Sequence, residues 1–415
     1  MKDFMPKHQK SKKLVENVLQ VSAMAREAKA KNKEVINATA GAYYTEDGNI
    51  KVFEPVRNHF EKPNYNQSLS YASVGCSPKL KNVIFDWVLG SSNLEIYKDF
   101  YQDATPTPGG TGAIAMAFAT YLEQGEGVLF PNLMWPAYVQ IANNIQVEAD
   151  YYNLYNENRE FDLASLEEKI IESQEKYGKV FIVINDPCHN PTGFVMSKDE
   201  YDGLVNLLNK HSVNSKIILL MDIAYLDYGK DSGDYTRANF ASLANVSENV
   251  KVLFAFSASK TFGIYGLRLG ALLHLTKDEE ESLRFLQATH YFARSTWSNS
   301  SHLAMNIIED TFTNPDKKKE FKIELANTSQ NLSERANLFT PYLDKYNVPY
   351  APYQSGFFIL LLVDNPYFDR LLEESKVYGV RFGKNYRIAL SSINLEEASR
   401  LGEVIGRAYQ EIKKA

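Results

Sequence analysis

KVLFAFSASKTFGIYGLRLG, residues 251–270, decides how the chain is read. An apolar run, Lys251 to Phe256, has the look of a buried strand and runs straight into a polar loop that carries one lysine, Lys260. Ser257 and Ser259 stand three residues and one residue before it, and Arg268 lies eight residues after it. In an open α/β sheet, ligands bind outside the carboxyl ends of the strands. A lysine alone at a loop is an ordinary solvated charge. A lysine desolvated beside another cation instead becomes a usable amine nucleophile. The hydroxyls and the planar fork of Arg268 suit a phosphate.

A second strand, KIILLM at 216–221, ends on Asp222, with Tyr225 close behind. A carboxylate after such a run must be paired or it is neutralised, and a protonated nitrogen base is a suitable partner. An N-cap for a following helix serves the same residue equally well. A third segment, TPGGTGAIAMA at 107–117, opens an alanine-rich helix on glycines, where free N–H groups and the helix dipole favour an anion. It has neither the GxxxxGK[ST] nor the GxGxxG spacing of nucleotide sites. The fourth, NDPCHNPTG at 185–193, follows the strand VFIVI and forms a rigid turn that aims Asn190 at the strand ends. Cys188 and His189 lack ligand-spaced neighbours, so no metal is expected.

Around these segments, short β-branched runs alternate with helical patterns. Strands are expected at Val128–Phe130, Val180–Ile184, Ile217–Met221, Val252–Phe256 and Leu269–Leu275. Helices are expected at Gly112–Glu123, Leu163–Tyr177, Lys198–His211 and Asp278–Phe292. This alternation predicts an α/β fold: a mostly parallel sheet with helices on both faces. Helical periodicity then dominates from Ser301 to Lys345. Short strands follow at Gly356–Val363 and Tyr386–Leu390, and a helix at Leu395–Ile412 ends the chain. The division expected is a large domain at 55–305 and a smaller α+β domain built from 1–54 and 306–415, with a helix at Leu14–Lys31.

Composition narrows the function. At 415 residues the chain is long for a single core. A net charge of −6 gives no broad basic field for nucleic acid. Two cysteines, Cys76 and Cys188, exclude a disulfide scaffold. The longest apolar run, Phe357–Val363, is far too short to span a membrane. The basic start, MKDFMPKHQKSKK, is followed by no apolar segment of a secretory signal. The expectation is a cytoplasmic protein with reduced thiols.

Together the four segments resemble the fold-type I enzymes that use pyridoxal 5′-phosphate, and within them the class I aminotransferases of the aspartate and aromatic branch. NATAGAY at 37–43, YASVG at 71–75, LMWP at 133–136, ARSTWSN at 293–299 and YRIA at 386–389 carry the resemblance along most of the chain. The resemblance implies that Lys260 carries the cofactor as a Schiff base and, once released, shuttles a proton. It implies that Asp222 keeps the pyridine nitrogen protonated, that Asn190 and Tyr225 bond the ring oxygen, and that Trp135 stacks on the ring. Gly110, Thr111, Ser257 and Arg268 would hold the phosphate, joined by Tyr71 from a second subunit of a homodimer. Gly41 and Asn190 would border the substrate, and Arg387 would fork onto its α-carboxylate. Arg294, reaching from the neighbouring subunit, would take a side-chain carboxylate, with Tyr43, Trp297 and Phe358 as an aromatic wall.

The implied reaction moves an amino group from an L-amino acid (aspartate, glutamate or an aromatic one) to a 2-oxo acid such as 2-oxoglutarate. Three departures weaken a standard aspartate enzyme. Gly109-Gly110 stands where that branch has Ser-Gly, Tyr138 where it has a histidine beside the key aspartate, and Asn185-Asp186-Pro187 looks like other class I branches. A β-lyase or an aspartate β-decarboxylase on the same cofactor is the alternative. A non-catalytic regulator is remoter still, since the chain has no spare residues for a DNA-binding domain.

Overall fold

The structure is a computed structural model and describes residues 4–10, 12 and 17–414. Twelve strands occur in chain order among them: β1 (Ile36–Asn37), β2 (Tyr101–Thr107), β3 (Gly127–Pro131), β4 (Glu148–Tyr152), β5 (Lys179–Asn185), β6 (Lys216–Asp222), β7 (Val250–Ser257), β8 (Gly270–Thr276), β9 (Phe358–Leu361), β10 (Val377–Tyr378), β11 (Val380–Phe382) and β12 (Asn385–Ala389). Seven of them make one sheet in the order β2-β8-β7-β6-β5-β3-β4. The run β7-β6-β5-β3-β4 is parallel, and β8 is antiparallel to both its neighbours. This is the fold type that the alternating pattern predicts.

The central strands read as unbroken apolar runs because both faces of a parallel sheet are covered. Successive side chains alternate between two layers. Phe181, Val183, Ile218, Leu220, Leu253 and Leu272 pack with the helix Gly109–Tyr121 and the helix Glu279–Thr296. Ile182, Ile184, Leu219, Met221, Val252 and Phe254 belong to the opposite layer, which continues into the C-terminal part of the chain. The helix Lys198–His211 starts on a capping box, Ser197 with Glu200, as its sequence requires.

Strand β1 pairs with β10, and β11-β12-β9 form a three-stranded antiparallel sheet. The final helix, Leu395–Ile412, buries Ala398, Leu401, Ile405 and Ala408 at a spacing of three and four, and it packs along the helix Pro315–Lys345.

Several expected boundaries move. The glycine-rich helix begins at Gly109, three residues before the expected Gly112. The continuous periodicity over 301–345 is two helices, His302–Thr313 and Pro315–Lys345, broken at Asn314, whose side chain caps the second by accepting from Asp316 and Lys317 N–H. The strand read over Gly356–Val363 pairs only at Phe358–Leu361. The N-terminal helix is seen as Asn17–Lys31; the first residues expected for it, 14–16, lie outside the described residues. Among the described residues no helix is long and apolar enough to cross a membrane.

Candidate active site

Strand register gathers the polar strand ends. Asn185 on β5 is level with Asp222 on β6, Asp222 with Ala255 on β7, and Ser257 with Gly270 on β8. A cavity of about 510 Å³ opens over these ends, lined by Asn185, Asp222, Ser257 and Lys260. Gly110, Thr111, Trp135, Asn190, Tyr225 and Arg268 also border it. Gly41, Phe358 and Arg387 close it from the C-terminal sheet and the N-terminal loop. A larger cleft of about 760 Å³ lies between residues 228–235 and the helix Pro315–Lys345, but neither Lys260 nor Asp222 borders it.

Lys260 Nζ donates to the carbonyl of Gly41, and the Lys260 carbonyl accepts from Tyr228 at 3.0 Å. Burial, reinforced by the cations Arg387 and Arg268, pulls the amine down to about 7. Asp222 goes the other way: burial lifts its carboxyl to about 6, opposed by the hydroxyl of Tyr138, the Ala224 N–H and the charge of Lys260. Asp222 does not cap a helix; Oδ1 accepts its own turn's Ala224 N–H at 3.1 Å, and Oδ2 accepts from Tyr138. Arg387 donates to Asn190 Oδ1 at 3.0 Å, and Asn190 is itself held by Asn185, whose Oδ1 accepts its N–H at 2.8 Å. Burial also lowers Arg387, to about 10.

These shifts link stability to pH. The folded chain holds Lys260 at about 7, below the ordinary value of roughly 10.4 that it regains on unfolding. Over that window the unfolded chain binds the extra proton, so the amine's contribution is present near the upper value and is lost as pH falls through 7. Replacing Lys260 by methionine is therefore expected to raise the melting temperature of the cofactor-free protein by a few degrees at pH 6. The gain should fade as pH rises toward 10. Thermal scans of both proteins across that range check it; a gain independent of pH means the amine is not depressed.

Whether these residues fit a phosphate-bearing cofactor is decided by the glycine loop. Gly109 has φ 75°, and a Cβ there would run into the guanidinium of Arg268. A Cβ on Gly110 would meet Ser257 Cβ at 3.2 Å. The hydroxyl missing at Gly109 is thus replaced in space by Arg268, which is steered by Ser259 Oγ at 3.0 Å and the Tyr265 carbonyl at 2.9 Å. A helix N-terminus, a serine and an arginine converge on one concavity, which fits a phosphate. The opposite end fits a carboxylate: Arg387 Nε is buried without a hydrogen-bond partner among the described residues. Among those residues no cluster of His, Cys, Asp or Glu fits a metal ion.

Two candidate residues stand outside the cavity of their own chain. Tyr71 is 91% exposed, and Arg294, also exposed, donates to Ser298 Oγ on its own helix end. Of the expected aromatic wall, only Phe358 lines the cavity. Tyr43 turns away to donate to Asn331 at 2.6 Å because Arg335, buried beneath its ring, draws that loop onto the long helix. Trp297 packs edge-on against Phe292 at 5.3 Å. Gln140 and Phe382 line the cavity without having been singled out from sequence. Phe382 could have been found from its distance along the chain to Arg387, whose guanidinium lies 5.5 Å from its ring. Gln140 gives no signal beyond lying five residues after Trp135.

The model of the family described as aminotransferase class I and II matches residues 33–405. An aspartate aminotransferase of Salmonella typhi is 26% identical over 361 residues, covering 84% of this chain and 87% of that protein. An aromatic-amino-acid aminotransferase of Escherichia coli is 22% identical over 390 residues, covering 92% and 95%. Among solved structures, an aminotransferase from Anaerococcus prevotii superposes with a TM-score of 0.93 at 26% identity, covering 98% of this chain and 99% of that one.

Proposed function

The chain belongs to the aminotransferase class I and II family and is a transaminase, and from that premise we propose that it uses pyridoxal 5′-phosphate held at Lys260 to move an amino group from aspartate, glutamate or an aromatic amino acid to a 2-oxo acid such as 2-oxoglutarate. The observation that carries the reading is the convergence of Lys260, Asp222 and Arg387 on one cavity beside a phosphate-shaped cradle.

Bound there, the cofactor supplies a carbonyl for the amine and a ring that takes up the electron pair of a carbanion. Gly110, Thr111, Ser257 and Arg268 would hold its phosphate, with Tyr71 of a second copy as a further donor. Asp222 would pair with the ring nitrogen, Asn190 and Tyr225 would bond the ring oxygen, and Trp135 would stack on the ring. Arg387 presents a planar donor fork to the substrate α-carboxylate, oriented by Asn190. Lys260, whose amine burial brings down to about 7, would move a proton from the substrate Cα to the cofactor carbon that keeps the amino group. Gly41 accepts from Lys260 and keeps the amine at the cavity wall.

The dicarboxylate preference rests on Arg294 acting in a neighbouring copy, so a homodimer belongs to the same proposal. What supports it is that Arg294 and Tyr71 point out of their own chain rather than into its cavity. The division into a large unit at 55–305 and a small unit of 1–54 with 306–415 is supported by the pairing of β1 with β10.

The test is an absorbance spectrum of the cofactor-loaded protein, with single amino acids added and no oxo acid. Loss of the visible band with aspartate or glutamate is the expected result. Loss only with tyrosine or phenylalanine removes Arg294 from the donor pocket. A persistent band with release of pyruvate or ammonia overturns transamination in favour of a lyase or decarboxylase, and a protein that stays colourless overturns the cofactor.

A further inference from the structure

Lys260 is carried by a single helical turn, Ala258–Thr261, between the end of β7 and the loop that leads to β8. One turn fixes several dihedral angles for very few hydrogen bonds, so it does not hold its own shape. Its direction is set from outside, by two consecutive residues of the short turn Leu226–Tyr228 that follows β6. The Tyr228 hydroxyl donates to the Lys260 carbonyl at 3.0 Å, and the Thr261 hydroxyl donates to Asp227 Oδ2. Asp227, Tyr228 and Thr261 are all buried. Burial also holds the Tyr228 phenol well above its ordinary range, so it stays a protonated donor.

Asp227 is fixed in its turn. Its Oδ1 accepts from Arg237, and Oδ2 accepts from Trp87 Nε1 at 3.1 Å. Arg237 is held by the Trp87 carbonyl at 2.8 Å and the Ser232 carbonyl at 3.0 Å. A buried ion pair is a weak source of stability, because desolvation offsets its attraction. What a fully satisfied buried network supplies is rigidity. The same loop carries Asp222, the last residue of β6, and Tyr225.

We propose that Asp227 and Tyr228 are positioning residues that act through Thr261 and the Lys260 main chain. They lock the lysine turn to the loop that carries Asp222 and Tyr225, and so fix the reach of the amine over the cavity. The proposal rests on the cofactor reading above and adds how the covalent link to Lys260 is aimed. Among the described residues the amine's hydrogen-bond partner is the Gly41 carbonyl alone. A long, flexible side chain with one such partner depends on where its backbone is held. A turn free to shift moves the amine relative to Asp222, and a misplacement of about 1 Å costs up to roughly 10²-fold in rate.

The experiment compares wild type with Tyr228→Phe, Thr261→Val, the two combined, and Thr261→Ser. Each change leaves the Asp227–Arg237 pair in place. The cofactor-free proteins are mixed with pyridoxal 5′-phosphate and quenched with borohydride at intervals, and the adduct is followed by mass. Adduct formation and kcat should each fall about 10-fold per lost hydroxyl, the scale of one buried hydrogen bond, at little-changed KM. Thr261→Ser, which keeps the hydroxyl, should match wild type. Affinity for pyridoxamine 5′-phosphate, which has no carbonyl to link, should not change. Variants that melt earlier but form the adduct and turn over at wild-type rates make these residues packing only and overturn the proposal. A loss of pyridoxamine 5′-phosphate affinity as large as the loss in adduct rate also overturns it, since the cavity rather than the aim of the amine has then changed. A wild type that forms no adduct overturns the cofactor reading, and the proposal falls with it.

Discussion

Lys260→Ala is expected to lower kcat by at least about 10⁴-fold, because in the proposed function one side chain supplies two steps: the amine that forms the covalent link and the base that moves the proton. The structure explains why nothing else replaces it. The other basic side chains in the cavity, Arg268 and Arg387, are guanidinium groups, which do not give up a proton at working pH. The acidic one, Asp222, is engaged by Tyr138 and Ala224. The Lys260 amine donates to the Gly41 carbonyl rather than to a residue of the phosphate cradle, so the variant should still bind the cofactor, though reversibly. Borohydride treatment followed by mass measurement should show a covalent adduct in wild type and none in the variant. A Lys260→Ala protein that keeps a tenth of the wild-type rate would remove Lys260 from both roles.

How much of this was legible follows from where each residue gets its position. Lys260, Asp222 and Asn190 are legible because Asp222 ends an apolar run and Lys260 and Asn190 lie on the loops that directly follow such runs, and a polar residue at the end of a buried parallel strand has few places to point except the crevice. The central strands were visible for the same reason. The two strands at the ends of the sheet, β2 and β4, were not. β4 is largely solvated and has no apolar run. β2 (YQDATPT) buries polar residues that look wrong for a strand until their partners are seen: Thr105 meets Thr289 at 2.8 Å, and Asp103 faces the buried His274. Such pairs join residues far apart in sequence, and no local pattern predicts them.

The site has the same boundary. Tyr138 was noticeable as an unusual residue, but its bond to Asp222 depends on how the helix Ala137–Asn144 docks against β6. Phe382 and Arg387 reach the cavity through the pairing of β11 with β12. The exchange of a serine for Gly109 reads from sequence as a lost phosphate ligand. In the structure it makes room, since Arg268 fills the space a side chain would need. The cradle therefore trades a neutral donor for close approach of a charged one, which local sequence cannot show because Arg268 and Gly109 meet only when β8 returns beside β2.

Asp222→Asn is the second large effect expected. Asparagine keeps the shape and can still accept from Tyr138, but it carries no charge to hold a protonated ring nitrogen. Breaking a buried charge pair costs about 3–5 kcal/mol. At about 1.4 kcal/mol per decade, that is roughly a 10²- to 10⁴-fold loss in kcat. KM should change little, since Arg387 is set by Asn190 rather than by Asp222. The same substitution should stabilise the cofactor-free protein. Burial raises the folded-state carboxyl to about 6, above its ordinary value of roughly 3.9, so its contribution to stability is complete below that lower value and is lost as pH rises through 6. At pH 8 the wild type therefore carries an unfavourable buried charge that Asp222→Asn lacks, and the melting-temperature difference should close as pH falls toward 4. Loading the cofactor should reverse the order at pH 8, because only the aspartate gains a partner. If the variant melts lower at every pH and kcat is unchanged, Asp222 is a structural turn residue. If it melts higher without cofactor and is slower with it, the buried carboxylate destabilises the empty site in return for the charge that catalysis needs.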